Sequence, residues 1–171
     1  IYFPVPFRVV AATMSFAHLN EGELQVGSAT LKTMRVKHPS YVIGYRIEVG
    51  SKVICFIPDN EIEGDIYEVD DGWYDRLVEF VRDADLLIHD SMYTDEEYPT
   101  RKGWGHSTFS QSLKLAEDGG VKKLLFFHHD PTRSDDELDE IVTRVREDAL
   151  ARGSAVEMEA AAEGIDIKLE K

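Results

Sequence analysis

A layered α/β sandwich is the fold class that this sequence predicts, and three observations predict it. Short apolar segments divided by turn signals fill the chain up to Ile57. From Trp73 onward, helical apolar spacing alternates with short apolar runs. Two capping boxes, Thr108 with Gln111 and Ser134 with Glu137, mark helix starts between those runs. The 171 residues are 43% hydrophobic, enough for one core, so residues 1–171 are expected to form a single domain.

The elements follow in order. Residues 1–12 are apolar and contain Pro4 and Pro6, which predicts a loop or short helical segment. Strands are expected over Thr13–Leu19, Glu23–Val26, Ala29–Val36, Tyr41–Val49 and Lys52–Ile57. Asn20-Glu21-Gly22, Gly27-Ser28, His38-Pro39-Ser40 and Gly50-Ser51 turn the chain between them. "YVIGYRIEVGSKVICFI" reads as a hairpin whose second strand is apolar throughout, as when both faces are covered. Asp59–Asp71 is acidic and irregular, a loop expected over one edge. Trp73, Leu77, Phe80 and Val81 give Trp73–Arg82 a helical stripe. "DLLIHD", Asp85–Asp90, is a short buried strand with a polar end, and Tyr93–Gly105 is a polar, aromatic loop. Thr108–Asp118 is a helix stopped by Gly119-Gly120, and Lys123–Phe127 a strand. Asp135–Arg152 is a helix with Leu138, Ile141, Val142 and Val145 on one face, ended by Gly153. Ile165–Leu169 is expected as the last strand.

Composition narrows the function. The net charge is −14, from 33 acidic and 19 basic residues, and such a surface repels phosphate backbones, which argues against general nucleic-acid binding. A small anion can still bind where local cations offset the field. The single cysteine, Cys55, lies in an apolar run and is expected in the core; no disulfide within the chain can form, which favours a cytoplasmic setting. No apolar run is long enough to cross a membrane as a helix, and no signal-peptide pattern is visible. The chain starts with Ile1, and "IYFPVPF" reads like the middle of a domain, so an N-terminal part is expected to be missing.

Four strand ends carry polar residues suited to chemistry: His38, Asp59, His89-Asp90 and His128-His129-Asp130. Rigid strands that end in open loops are where layered α/β folds collect reactive groups. Imidazoles and carboxylates brought together there suit zinc or a similar divalent ion. Each also has a plain structural reading. His38 before Pro39 can be a turn residue, Asp59 can open a turn with Asn60, and His128 or His129 can cap the strand. Neighbours in a strand point to opposite faces, so at most one of that pair faces a given site, and His89 points away from Asp90's face. His18 reads as structural. In "GWGHST", residues 103–108, His106 directly precedes a capped helix, where backbone N–H groups and the helix dipole favour anions. There His106 could donate a proton, with Asp90 orienting it and raising its pKa. A solvent-facing histidine in a glycine-rich loop is the alternative.

Taken together these segments resemble the metallo-β-lactamase superfamily, in the branch of ribonuclease Z and related phosphodiesterases. "HPSYVIGYRIE" resembles a family metal motif, a His followed by a "GYR" strand. "VICFIPDNE" resembles the strand that ends in the bridging aspartate, usually Gly-Asp-Thr. "DLLIHDSMY" and "GHSTFSQSLKLAEDGGVKKLLFFHHDP" resemble the segments that follow, the latter leading to the last metal histidine. The resemblance implies an αββα sandwich. It implies His38 as a ligand of one metal, His128 as a ligand of the other and Asp59 as the bridge between them. It implies Asp90 and His106 as the pair that protonates the leaving group, and no metal role for His129. Two divalent ions, zinc or manganese, would activate water against a small phosphodiester.

The family signature His-x-His-x-Asp-His, which normally lies upstream, is absent. The chain is therefore expected to be the C-terminal portion of the fold, incomplete and inactive alone. Ile-Pro-Asp-Asn also replaces the usual Gly-Asp-Thr around Asp59. The absence of a long basic arm and the acidic charge point away from tRNA processing. Two alternatives remain: a non-catalytic module that binds a protein partner, and a hydrolase of esters, lactones or thioesters. A homodimer stays open.

Overall fold

The computed structural model describes residues 11, 13 and 18–169. The expected segment over residues 1–12 and most of the strand expected over Thr13–Leu19 lie outside the described residues. The rest forms seven strands and three helices: β1 (Gly22–Val26), β2 (Ala29–Arg35), β3 (Ile43–Val49), β4 (Lys52–Ile57), α1 (Trp73–Val81), β5 (Leu86–Asp90), α2 (Phe109–Asp118), β6 (Lys123–Phe127), α3 (Asp135–Ala151) and β7 (Glu157–Ala160).

All seven strands lie in one sheet in the order β1-β2-β3-β4-β5-β6-β7. β1 to β4 form an antiparallel meander. Its tight turns place Gly27 (φ 62°) and Gly50 (φ 60°) in the left-handed region, which glycine enters without the Cβ clash. β4 to β7 pair in parallel, and each parallel step crosses over through one helix. β2 is antiparallel to β3, and β3 to β4, so β2 points the same way as β4, β5 and β6. The C-terminal ends of those four strands therefore share one edge of the sheet.

The helices pack on one face. Cys55, Ile57, Leu87, Leu124 and Phe126 alternate towards Trp73 and Leu77 of α1, Phe109 and Leu113 of α2, and Ile141 and Val142 of α3. Each such side chain contributes about 1.5–3 kcal/mol when fully buried. The opposite face carries the half-buried rings Tyr45, Phe56 and Phe127, which contact one another in sequence. Sheet plus helices make two layers of the expected sandwich. Both capping boxes are formed as the sequence predicts. Burial pushes the Cys55 thiol up to about 12, so it is an inert core group. No helix among the described residues is long and apolar enough to cross a membrane.

Two expectations are corrected. Residues 165–169 form no strand; the last strand is β7, "EMEA", paired with β6. Only Met158 of β7 is fully buried, so this edge strand leaves little hydrophobic trace. The segment after Asp59 does not begin as a loop over an edge. Asn60 and Glu61 are completely buried, because their side chains tie together several loops at the sheet edge.

Candidate metal centre

The shared edge gathers the residues singled out from the sequence. His38 lies in the turn after β2, Asp59 just beyond β4, Asp90 at the last position of β5, His106 directly before the N-cap region of α2, and His128 directly after β6. Pro58 lacks an N–H, so β4 pairing stops before Asp59. His128 takes a φ of 60°, a left-handed conformation open to few non-glycine residues, and so breaks the alternation of β6. Nε2 of His128 lies 3.5 Å from Asp59 Oδ1, and Nε2 of His38 lies 3.9 Å from Asp59 Oδ2. One carboxylate thus stands between two imidazoles, each facing its own oxygen, at separations too long for strong direct hydrogen bonds. The His106 ring stacks on His128 at 4.6 Å between centroids and meets His38 edge-on at 5.5 Å. Asp59 (31%) and His128 (33%) are the most open of these side chains, so the cluster reaches solvent.

His129, next in sequence, is elsewhere: its Nε2 lies 3.3 Å from the Ala161 carbonyl, and its ring stacks on Phe109. His18 is exposed and takes no part in the cluster.

Asp90 is fully buried, and its Oδ2 accepts from His106 Nδ1 at 2.6 Å and from the Asn60 N–H at 3.0 Å. Burial opposes charge on His106, but the Asp90 carboxylate, with Asp59 and Glu61 nearby, outweighs it and raises the imidazole above its ordinary range. Burial likewise raises Asp90, against the pull of His106. Burial lowers His38, partly offset by Asp59, which favours the neutral ring that ligates metals.

The donor set fits divalent ions. Oδ1 of Asp90 and Nδ1 of His128 are buried in the walls of the cluster without a hydrogen-bond partner among the described residues. The Nδ1 of His38 accepts from the Ser40 N–H at 3.2 Å and lies 2.9 Å from Ser40 Oγ, so the neutral ring carries its hydrogen on Nε2, facing Asp59; ligation through Nε2 would require that hydrogen to leave. Asp90, His106 and His128 also present ligand atoms within 4.8 Å of one another. The Asp90–His106 bond occupies Oδ2 and Nδ1, leaving Asp90 Oδ1 and His106 Nε2 of that trio outside it, while His38, Asp59 and His128 lie clear of the bond altogether. Were Asp59 to bridge two ions, His38 and His128 would each offer one of them an imidazole, with one Asp59 oxygen facing each ring. A catalytic zinc usually takes three protein ligands.

The sequence reading missed the residues that hold this cluster. Glu61, completely buried, accepts four hydrogen bonds: from Tyr98 Oη and Gly103 N at Oε1, and from Tyr67 Oη and Gly105 N at Oε2. It fixes the loop that delivers His106. Burial pushes the neighbouring His89 down to about 4, so its ring is neutral at physiological pH. The available signal was an uninterrupted Asn-Glu pair after Asp59 in a region read only as acidic.

Comparisons with known proteins agree with the fold. A sequence profile described as "Beta-lactamase superfamily domain" matches residues 3–129. The ribonuclease Z of Thermoplasma volcanium is 28% identical over 146 residues, covering 64% of this chain and 48% of that protein. The metallo-beta-lactamase fold protein YhfI from Bacillus subtilis superposes with a TM-score of 0.66 at 21% identity, over 88% of this chain and 54% of its own. A diphosphatase from the PhnP family superposes with a TM-score of 0.61 at 19% identity, over 96% and 53% respectively. At those identities the two structures attest the fold alone. The chain spans about half the length of these relatives.

Proposed function

The chain belongs to the beta-lactamase superfamily, and on that premise we propose that it supplies part of the active site of a metal-dependent phosphodiesterase. The observation that carries this proposal is Asp59, with one oxygen facing His38 and the other facing His128. His38 would hold one ion, His128 a second, and Asp59 both. Two such ions, zinc or manganese, would polarise a phosphoryl oxygen and lower the pKa of bound water. The donors that complete each ion's shell are to be sought outside the described residues.

The chain's own residues manage the proton. Asp90 fixes the His106 ring through Nδ1, leaving Nε2 to carry a proton towards the cluster. A raised pKa keeps that proton in place until an alkoxide leaves. His106 sits at the start of α2, whose dipole also favours a phosphate there. The buried thiol Cys55 fits a reducing, cytoplasmic setting.

A net charge of −14 favours a small phosphodiester as substrate. The name ribonuclease Z, borne by several relatives, favours the second reading, an RNA phosphodiester. Turnover of bis-p-nitrophenyl phosphate, p-nitrophenyl acetate and a short RNA by the zinc- or manganese-loaded full-length protein separates them. Metal-dependent cleavage of the phosphodiester with little ester or RNA cleavage is expected. RNA cleavage alone would replace the small substrate. Ester cleavage alone, or no turnover and no bound metal, would remove the phosphodiesterase.

A further inference from the structure

Asn60 follows the proposed bridging aspartate, is completely buried, and bonds to the segments that carry His38, Asp90 and His106. Its Oδ1 accepts from the Lys37 N–H at 3.1 Å, the peptide next to His38. Its own N–H donates to Asp90 Oδ2 at 3.0 Å. Its carbonyl accepts from Ser107 Oγ at 2.5 Å, one residue after His106. Its Nδ2 lies 3.1 Å from Nε2 of His89, the residue before Asp90.

The direction of these bonds is fixed by chemistry. A peptide N–H can only donate, so the amide oxygen must face Lys37 and the amide nitrogen must face His89. Nδ1 of His89 lies 2.7 Å from the Asp90 carbonyl, which can only accept, so Nδ1 carries the hydrogen. Nε2 is then bare and accepts from Asn60. The resulting chain runs one way: Lys37 N–H to Asn60, Asn60 to His89, His89 to the Asp90 carbonyl. Ser112 Oγ, 2.9 Å from the same Nδ1, also donates to the Asp90 carbonyl at 2.7 Å, and closes the inner end against α2.

We propose that Asn60, through the His89 ring, is a positioning residue that sets the place of the Asp90–His106 pair relative to Asp59. This rests on the phosphodiesterase reading for its kinetic consequence, but not for the hydrogen-bond chain itself. The residue type matters as much as its size. An aspartate of the same shape could still accept from Lys37, but would turn a second acceptor against the bare Nε2 of His89. The contact would break, and the strand end bearing Asp90 would shift relative to Asp59. A misplacement of about 1 Å at a reacting centre can cost about 10²-fold in rate.

The test compares the unaltered protein with Asn60→Asp, and with Asn60→Ser in case the aspartate variant does not fold. With zinc and a phosphodiester whose leaving group is a simple alkoxide, kcat should fall by about 30-fold or more while KM stays within about threefold, since ground-state contacts are retained. Bound metal should be unchanged. Imidazole ¹⁵N NMR of the unaltered protein should show His89 with its proton on Nδ1. A folded variant with unchanged kcat would overturn the proposal, and so would a His89 proton found on Nε2. If the unaltered protein turns over no phosphodiester, the hydrolase reading fails alone, and the NMR result still decides the hydrogen-bond chain.

Discussion

Gly105 lies so close to His38 that a Cβ at position 105 would overlap the imidazole and the adjoining Pro39. Its φ of 97° also excludes ordinary side chains. The loop held by Glu61 thus forms a wall of the His38 pocket. Gly105→Ala should push His38 away from Asp59 and weaken zinc binding about tenfold or more. Competition with a chromogenic chelator measures this, and unaltered affinity would show that the contact does not set the position of His38.

The bond between Asp90 and His106 predicts a loss confined to proton transfer. His106→Ala should retain its metal content yet lose about 10²–10⁴ in kcat with a phosphodiester whose leaving group is a simple alkoxide. With a p-nitrophenolate leaving group, which needs no proton, the loss should be much smaller. Equal losses on both substrates would assign His106 another task.

Glu61 accepts from two peptide N–H groups, one at each oxygen. A glutamine has only one carbonyl oxygen, so either way round its NH2 meets a peptide donor. Glu61→Gln should therefore destabilise the protein by about 2 kcal/mol or more, because a buried donor is left unpaired. The urea midpoint reports the change, and hydrogen exchange at Gly103 and Gly105 should quicken with it. An unchanged midpoint would mean that the loop is held by other contacts.

Asp85 makes an ion pair with Lys122 at 2.8 Å, which brings its carboxyl down to about 2; burial works against this, and the Val53 N–H and Lys52 assist it. The native state then holds this group ionised where the unfolded chain, near 3.8, takes up a proton. Its contribution, about 1 kcal/mol because the largely exposed Lys122 is screened by solvent, is present above pH 4 and lost as the pH falls towards 2. Asp85→Asn should lower stability at pH 7 and flatten the dependence on pH between 4 and 2. Chemical denaturation across that range checks it, and parallel curves for the two proteins would contradict it.

Most of the scaffold was legible because its signals are local. Lys52–Ile57 and Lys123–Phe127 are short apolar runs between turn residues, and they match β4 and β6 at both ends. Thr108 and Ser134 start their helices through a capping pattern that needs only four residues. β7 was misplaced because "EMEA" depends on pairing with β6 for its shape, which no local pattern announces. The candidate ligands stood out as polar residues at strand ends. Asn60 and Glu61 did not, and His89 was read only as pointing away from the face of Asp90, since their roles rest mainly on bonds to distant residues, up to 47 positions away. A buried asparagine or glutamate has the same sequence signature as an exposed one.

Asp59 is the residue on which the site depends, and its place between His38 and His128 can be tested by locating metal directly. Crystals of the protein grown with zinc should show two anomalous peaks flanking the Asp59 carboxylate, one beside His38 Nε2 and one beside His128 Nε2, and both should vanish in Asp59→Ala. A single peak between Asp90, His106 and His128, or peaks that persist in the variant, would contradict the bridging arrangement.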